Sequence, residues 1–136
     1  MGQQQLLLLV IGVILVGIAV IAGIQAATDG FGKSEADGIM SRNLAIASNA
    51  VFWKTKSDPF AGGNQSYSLL GSNGLATLAM DTETELANWA ITNATATSIE
   101  ISGVSKRNAN IGVRTYVNNY SIDSTIVRFD GSITLE

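Results

Sequence analysis

From Gln3 to Ala27 the chain carries no charged side chain, and Leu6–Ile24 is built from Leu, Ile, Val, Gly and Ala alone. As an α-helix rising ~1.5 Å per residue, this segment would be about 29 Å long, close to the ~30 Å hydrocarbon layer of a bilayer. A helix that is apolar on every side needs a deep protein core or lipid around it. Whatever else the chain folds into must leave room for this segment.

Three readings compete for it. A cleaved secretory signal has an apolar stretch of about 7–15 residues behind a basic n-region. This stretch is longer, and no basic side chain precedes Asp29, although "IQAAT" has the small residues of a cleavage site. A simple single-pass anchor usually has Lys or Arg at its cytoplasmic end and Trp or Tyr at the interfaces. Here Gln3, Gln4 and Gln5 stand at one end, without aromatic belt or basic flank. The third reading is a helix that packs against copies of itself. Ala19, Gly23 and Ala27 are spaced by four, as are Ala22 and Ala26, forming ridges where another helix backbone can approach closely. Gly12 and Gly17 thin the helix at two further points. The glutamine carbonyls suit the first turn, whose backbone N–H groups lack intrahelical partners, without the cost of burying a charge.

The remainder is polar, so the mean hydropathy of +0.27 averages two unlike regions. With 136 residues, the chain has room for one domain. Eight basic and eleven acidic residues are dispersed, a poor match to the basic stripe that nucleic acid requires. The one adjacent basic pair, Lys106-Arg107, reads as a turn. Cysteine and histidine are both absent, which removes disulfides, thiolate chemistry, the common zinc sites and histidine acid–base catalysis. Among the carboxylates, Asp81, Glu83 and Glu85 read as a helix start or solvated loop, and Asp29 and Asp37 as cap or turn residues. No enzyme activity, metal or cofactor is expected.

Gly30 and Gly32 predict a kink or interruption near residues 28–33. Ser34 with Asp37 resembles a capping arrangement. Met40, Leu44, Ala47 and Val51, with Phe52 and Trp53 behind them, predict an amphipathic helix over Ser34–Lys54, either a second helix or the continuation of the first. A loop follows, with Pro59 and Gly62-Gly63, and then the ambiguous stretch "LATLAMDTETEL". "WAITNAT", "SIEISGV", "IGVRTYVN", "STIVRF" and "SITLE" predict three to five antiparallel strands, with Asp130-Gly131 as a type I′ hairpin signal between the last two. The expected organisation is α+β: an apolar helix over 1–27, an interrupted segment and amphipathic helix over 28–57, and a β-rich globular domain over 58–136. Asn64, Asn93 and Asn119 head Asn-X-Ser/Thr triplets, candidate glycan acceptors in an exported protein.

An uncharged Leu/Ile/Val-rich helix at the start, an amphipathic helical stretch and a small β-rich domain together resemble a type IV pilin or pilin-like filament subunit. The resemblance covers the whole chain in organisation and is most specific over the first 25 residues or so. It implies removal of a short leader ending in Gly, frequent methylation of the new N-terminus, apolar helices bundled in a filament core and globular domains coating it. The implied partners are copies of the chain in a helical homopolymer, the membrane before assembly and the pilus assembly machinery. The packing residues are then Gln3, Gln4, Gln5, Gly12, Gly17, Ala19 and Gly23. Pilins typically carry glutamate at the fifth mature position. Here that position is Gln5 if Met1 is the start, or Leu7 if cleavage follows Gly2. The proline common in bacterial pilin stems is missing. A minor pseudopilin of a secretion system, or a single-pass anchored surface domain, would share the layout.

Overall fold

A computed structural model describes residues 2–57 and 62–136; Pro59 of the predicted loop lies outside them. The fold is α+β, with helix α1 (Gly2–Thr55), a short helix α2 (Gly74–Thr77) and strands β1 (Ala87–Ala94), β2 (Ser98–Ser105), β3 (Gly112–Asn118) and β4 (Ser121–Arg128). The chain divides into two compact units, Met1–Ser34 and Glu35–Glu136.

The first unit is helical throughout its described residues. The interruption expected near residues 28–33 is absent: Gly30 and Gly32 both lie inside α1, as do Asp29, Ser34 and Asp37, which therefore cap nothing. Each glycine costs about 1 kcal/mol relative to alanine, a penalty that the propagating hydrogen bonds of a long helix absorb. Thr28 adds to the ladder, its hydroxyl donating to the Ile24 carbonyl at 2.9 Å.

In the second unit, the last part of α1 lies across a sheet of order β1-β2-β3-β4, every neighbouring pair antiparallel. The helix buries Ala36, Ile39, Asn43, Ile46, Ala47, Ala50 and Trp53. Opposite them the strands alternate as one-faced strands must, burying Trp89 and Ile91, Ile99 and Ile101, and Val113, Thr115 and Val117. The predicted stripe is displaced by about one residue around the helix. Met40 and Val51 are only partly buried, and Leu44 and Phe52 are exposed. Asn43 is the cause, a polar residue at the centre of the buried face. Its side-chain amide donates to Val113 O at 3.1 Å, with longer approaches of 3.4 Å to Ile101 O and Thr115 Oγ1. Gly103 lets the helix come close to β2: a Cβ there would sit 2.6 Å from Ile39 Cγ2 and 2.7 Å from Trp89 Nε1.

The C-terminus of α1 is capped by its own loop. Gly63 N–H donates to Trp53 O at 3.0 Å and Gln65 N–H to Lys54 O at 2.9 Å, while the Thr55 hydroxyl donates to Phe52 O at 2.6 Å. These bonds supply partners for carbonyls that the helix end leaves open. Gly63 is needed there because a side chain would strike the Trp53 ring and Ser66 O.

"LATLAM" contributes most of α2 and the turn after it, and "DTETEL" is an exposed loop leading into β1. Lys106, in the β2–β3 turn, pairs with Glu83. The fifth expected strand does not form. "SITLE" crosses the outer face of the sheet without pairing as a strand: Arg114 Nη2 donates to Thr134 O at 3.1 Å, and Ile133 is buried over Gly112. The Asp130-Gly131 step is accordingly no I′ hairpin. Only Gly131 has positive φ, at 76°, and its N–H donates to Asn110 O. Ser132, through its hydroxyl and then its N–H, holds the Asp130 carboxyl below its ordinary pKa. The tight hairpin is instead Asn119-Tyr120 between β3 and β4, with Asn119 at φ 55°.

Candidate functional site

The apolar segment stands out among the described residues because it is exposed on every side. Its most apolar window within α1 has a mean hydropathy of 3.2 and is 0% buried. Every large side chain from Leu6 to Ile24 faces outward, and this length of helix is apolar enough to cross a membrane. A surface of this kind far exceeds the apolar patches that soluble monomers leave in water.

Helical geometry sorts the residues singled out along it. At ~100° per residue, Gly12, Ala19 and Gly23 fall within an arc of about 40°, and Val16 lies about 20° outside it. Gly17 points roughly 140° away from Gly12 and belongs to another side. A Cβ added at Gly12, Gly17 or Gly23 would meet nothing within 4 Å, so no contact among the described residues requires their smallness. Gln3, Gln4 and Gln5 lie exposed in the first turn of α1, and among the described residues their side chains make no hydrogen bond.

In the sheet unit, Lys54 is a functional-looking residue without a motif to announce it. It is 2% exposed, with Nζ 4.4 Å from the Tyr67 ring centroid, 4.7 Å from that of Tyr120 and 3.4 Å from Asn119 O. Two aromatic faces and a carbonyl thus replace the water that a buried ammonium gives up. Tyr67 donates its own hydroxyl to Asn119 O at 2.5 Å. Burial, reinforced by neighbouring Tyr120, pushes the Tyr67 phenol up to about 12. Helical spacing places Lys54 on the buried face, but its charge argues for the surface, and only the paired tyrosines reconcile the two. This is a structural clamp rather than a reactive site.

An open groove of about 600 Å³ runs beside the end of α1, lined by Arg42, Phe52, Trp53, Lys56, Met80 and Asp81 among others. It brings together two cations, two aromatic rings and one carboxylate, but no nucleophile paired with a base. Among the described residues, no three His, Cys, Asp or Glu side chains are placed to hold a metal ion. Asn64, Asn93 and Asn119 are all exposed.

A long N-terminal apolar helix whose later turns pack on a small antiparallel sheet is a pilin-like architecture. Comparison with known proteins found no matching family model, no matching curated protein and no matching solved structure.

Proposed function

We propose that the chain is a structural subunit of an extracellular type IV pilus-like filament. It inserts into the membrane through Leu6–Ile24, is extracted by assembly machinery and polymerises helix against helix with copies of itself. The observation carrying this reading is the stretch of α1 that is apolar on every side and whose most apolar window is 0% buried. Lipid covers it before assembly, and neighbouring helices cover it afterwards.

Because lipid tails are as apolar as leucine, the exchange is driven by close packing rather than by escape from water. The Gly12–Ala19–Gly23 stripe supports such packing, since another backbone can approach where side chains are smallest. Gln3, Gln4 and Gln5 offer acceptors for the open N–H groups at the stem tip, in the same copy or a neighbouring one. The role is structural, with no reaction assigned to it.

Electron microscopy of material sheared from producing cells, with helical reconstruction, tests the reading. The expected map places this chain's first helices in a bundle along the filament axis. A chain found only in the membrane fraction, with no filament containing it, would replace the reading with an anchored surface domain or a minor pseudopilin. Ala19→Leu and Gly23→Leu should lower filament yield while membrane insertion stays at the wild-type level. Normal filaments from both variants would remove the stripe from the packing interface.

A further inference from the structure

The three Asn-X-Ser/Thr triplets, Asn64-Gln65-Ser66, Asn93-Ala94-Thr95 and Asn119-Tyr120-Ser121, are dispersed in the sequence, but the fold gathers them at one end of the sheet. β1 ends there with Asn93 and Ala94, β2 begins there at Ser98, and β3 and β4 meet there across Asn119 and Tyr120. The loop holding Asn64 is tied to the same end. Asn64 N–H donates to Lys56 O at 3.1 Å, Tyr67 N–H to Ala96 O at 3.4 Å and the Tyr67 hydroxyl to Asn119 O. The opposite end of the sheet holds Asn88, Asn108 and Asn110, none of which heads a triplet. It is also where this unit's stretch of α1 begins, with Ser105 donating to the Glu35 carboxylate at 2.5 Å.

Each triplet asparagine presents a free amide on a fixed backbone. All three are exposed, and among the described residues none of their side chains has a hydrogen-bond partner, as holds also for Asn73, Asn88, Asn110 and Asn118 but not for Asn43, Asn49 and Asn108. Asn119 N–H is held by Thr97 O at 2.7 Å, and its carbonyl by Tyr67 and Lys54. Asn64 and Asn119 occupy the left-handed region, with φ of 47° and 55°, which asparagine tolerates in turns. The surrounding surface is also unusual. Residues 62–70, 93–99 and 117–122 contain no charged side chain, so the nearby charges come from α1 and its end, Lys54 against Tyr120 and the exposed Lys56, yet Leu69 and Tyr120 are exposed. Surfaces ordinarily keep such apolar groups soluble with interspersed charge. A hydrated glycan does the same without charge.

We propose that this end of the sheet is an N-glycosylated surface, with Asn64, Asn93 and Asn119 as acceptors. The donor is a lipid-pyrophosphate-linked sugar. The side-chain nitrogen bonds to the anomeric carbon, the carbon–oxygen bond to the pyrophosphate breaks, and its electron pair leaves with the lipid pyrophosphate. The amide proton passes to a base on the transferase. The inference rests on export of the sheet domain, which the filament reading implies.

Intact and tandem mass spectrometry of the full chain from producing cells tests it, alongside protease accessibility of the sheet domain on the same intact cells. The expected result is a mass above the 14.2 kDa polypeptide, with sugar fragments released from peptides containing the three asparagines. Asn64→Gln, Asn93→Gln and Asn119→Gln should each remove one glycan mass. Ser121→Ala should remove the Asn119 glycan while leaving the asparagine in its turn, and Asn118→Gln should remove nothing. A protease-accessible chain with no sugar on these asparagines, or with sugar only on Ser and Thr, overturns the proposal and leaves the filament reading standing. A chain protected from external protease overturns both.

Discussion

Two stretches of α1 obey the same backbone geometry and meet opposite fates. Over Ala36–Trp53 the buried residues, Asn43 among them, occupy one side while Leu44 and Phe52 stay exposed, and the sheet closes over that side until Ile39, Ile46 and Ala47 have no exposed surface left. Over Leu6–Ile24 apolar residues occupy every side, and their large side chains are all exposed. A helix with a single apolar stripe can be completed within one chain by a sheet face of matching width. A helix without a polar side has no such intramolecular solution, because covering one side leaves the others bare. The first pattern specifies a fold, whereas the second specifies a surrounding medium or a crowd of other helices.

On this division, damage to one stretch should leave the other working. The largest effect is expected from Ile101→Ala beneath the helix, which should cost the sheet domain about 2–5 kcal/mol through a cavity. Chemical denaturation in detergent would measure that loss, while membrane partitioning should be unchanged. Reduced membrane association in this variant would show that the two stretches are coupled. The converse change is Leu15→Lys, at the middle of the bare segment. Insertion should weaken by about 3 kcal/mol, read as a shift of the chain from the membrane to the soluble or aggregated fraction. The denaturation midpoint of its sheet domain in detergent should match that of wild type.

A smaller effect sharpens the boundary at the far end of the helix. Tyr67→Phe should cost about 1 kcal/mol by deleting the hydrogen bond to Asn119 O. Its pH signature is more specific. Because the folded phenol titrates near 12 and the unfolded one near its ordinary value of 10, wild type holds this contribution below pH 10 and loses it as pH rises toward 12. Stability measured across that window should fall more steeply in wild type than in Tyr67→Phe. Parallel curves would exclude Tyr67 as the source of the slope.

How far the sequence anticipates this structure depends on whether a residue's neighbours are local. The apolar segment and the alternating strands are legible because each follows a period inherent in its own element. Gly30 and Gly32 mislead, since local breaker propensity counts for little inside a helix already propagating from both sides. "SITLE" has the composition of a strand but spends its apolar residue Ile133 on the outer face, over Gly112, instead of in a ladder. Asn43 cannot be recognised as a core residue without β3, because the carbonyl that satisfies its amide, Val113 O, lies 70 positions away. Lys54 is hidden for the same reason. For the residues proposed to pack between copies, helical geometry unites Gly12, Ala19 and Gly23 and separates Gly17, a distinction that spacing alone already contained.

The cap on α1 also has a mechanical meaning. Beyond Asn43 and the buried side chains, the helix is fastened at its last turn by Gly63 and Gln65 on the Trp53 and Lys54 carbonyls and by the Lys54 clamp. A pull applied at Glu35 along the helix would load the helix–sheet contacts, Asn43 and the buried side chains, together and in shear, while stretching the capped last turn. Peeling the helix from the sheet would break them one after another. The sheet domain is thus fastened to its own helix in the manner of a lap joint, the geometry that best resists tension along its length.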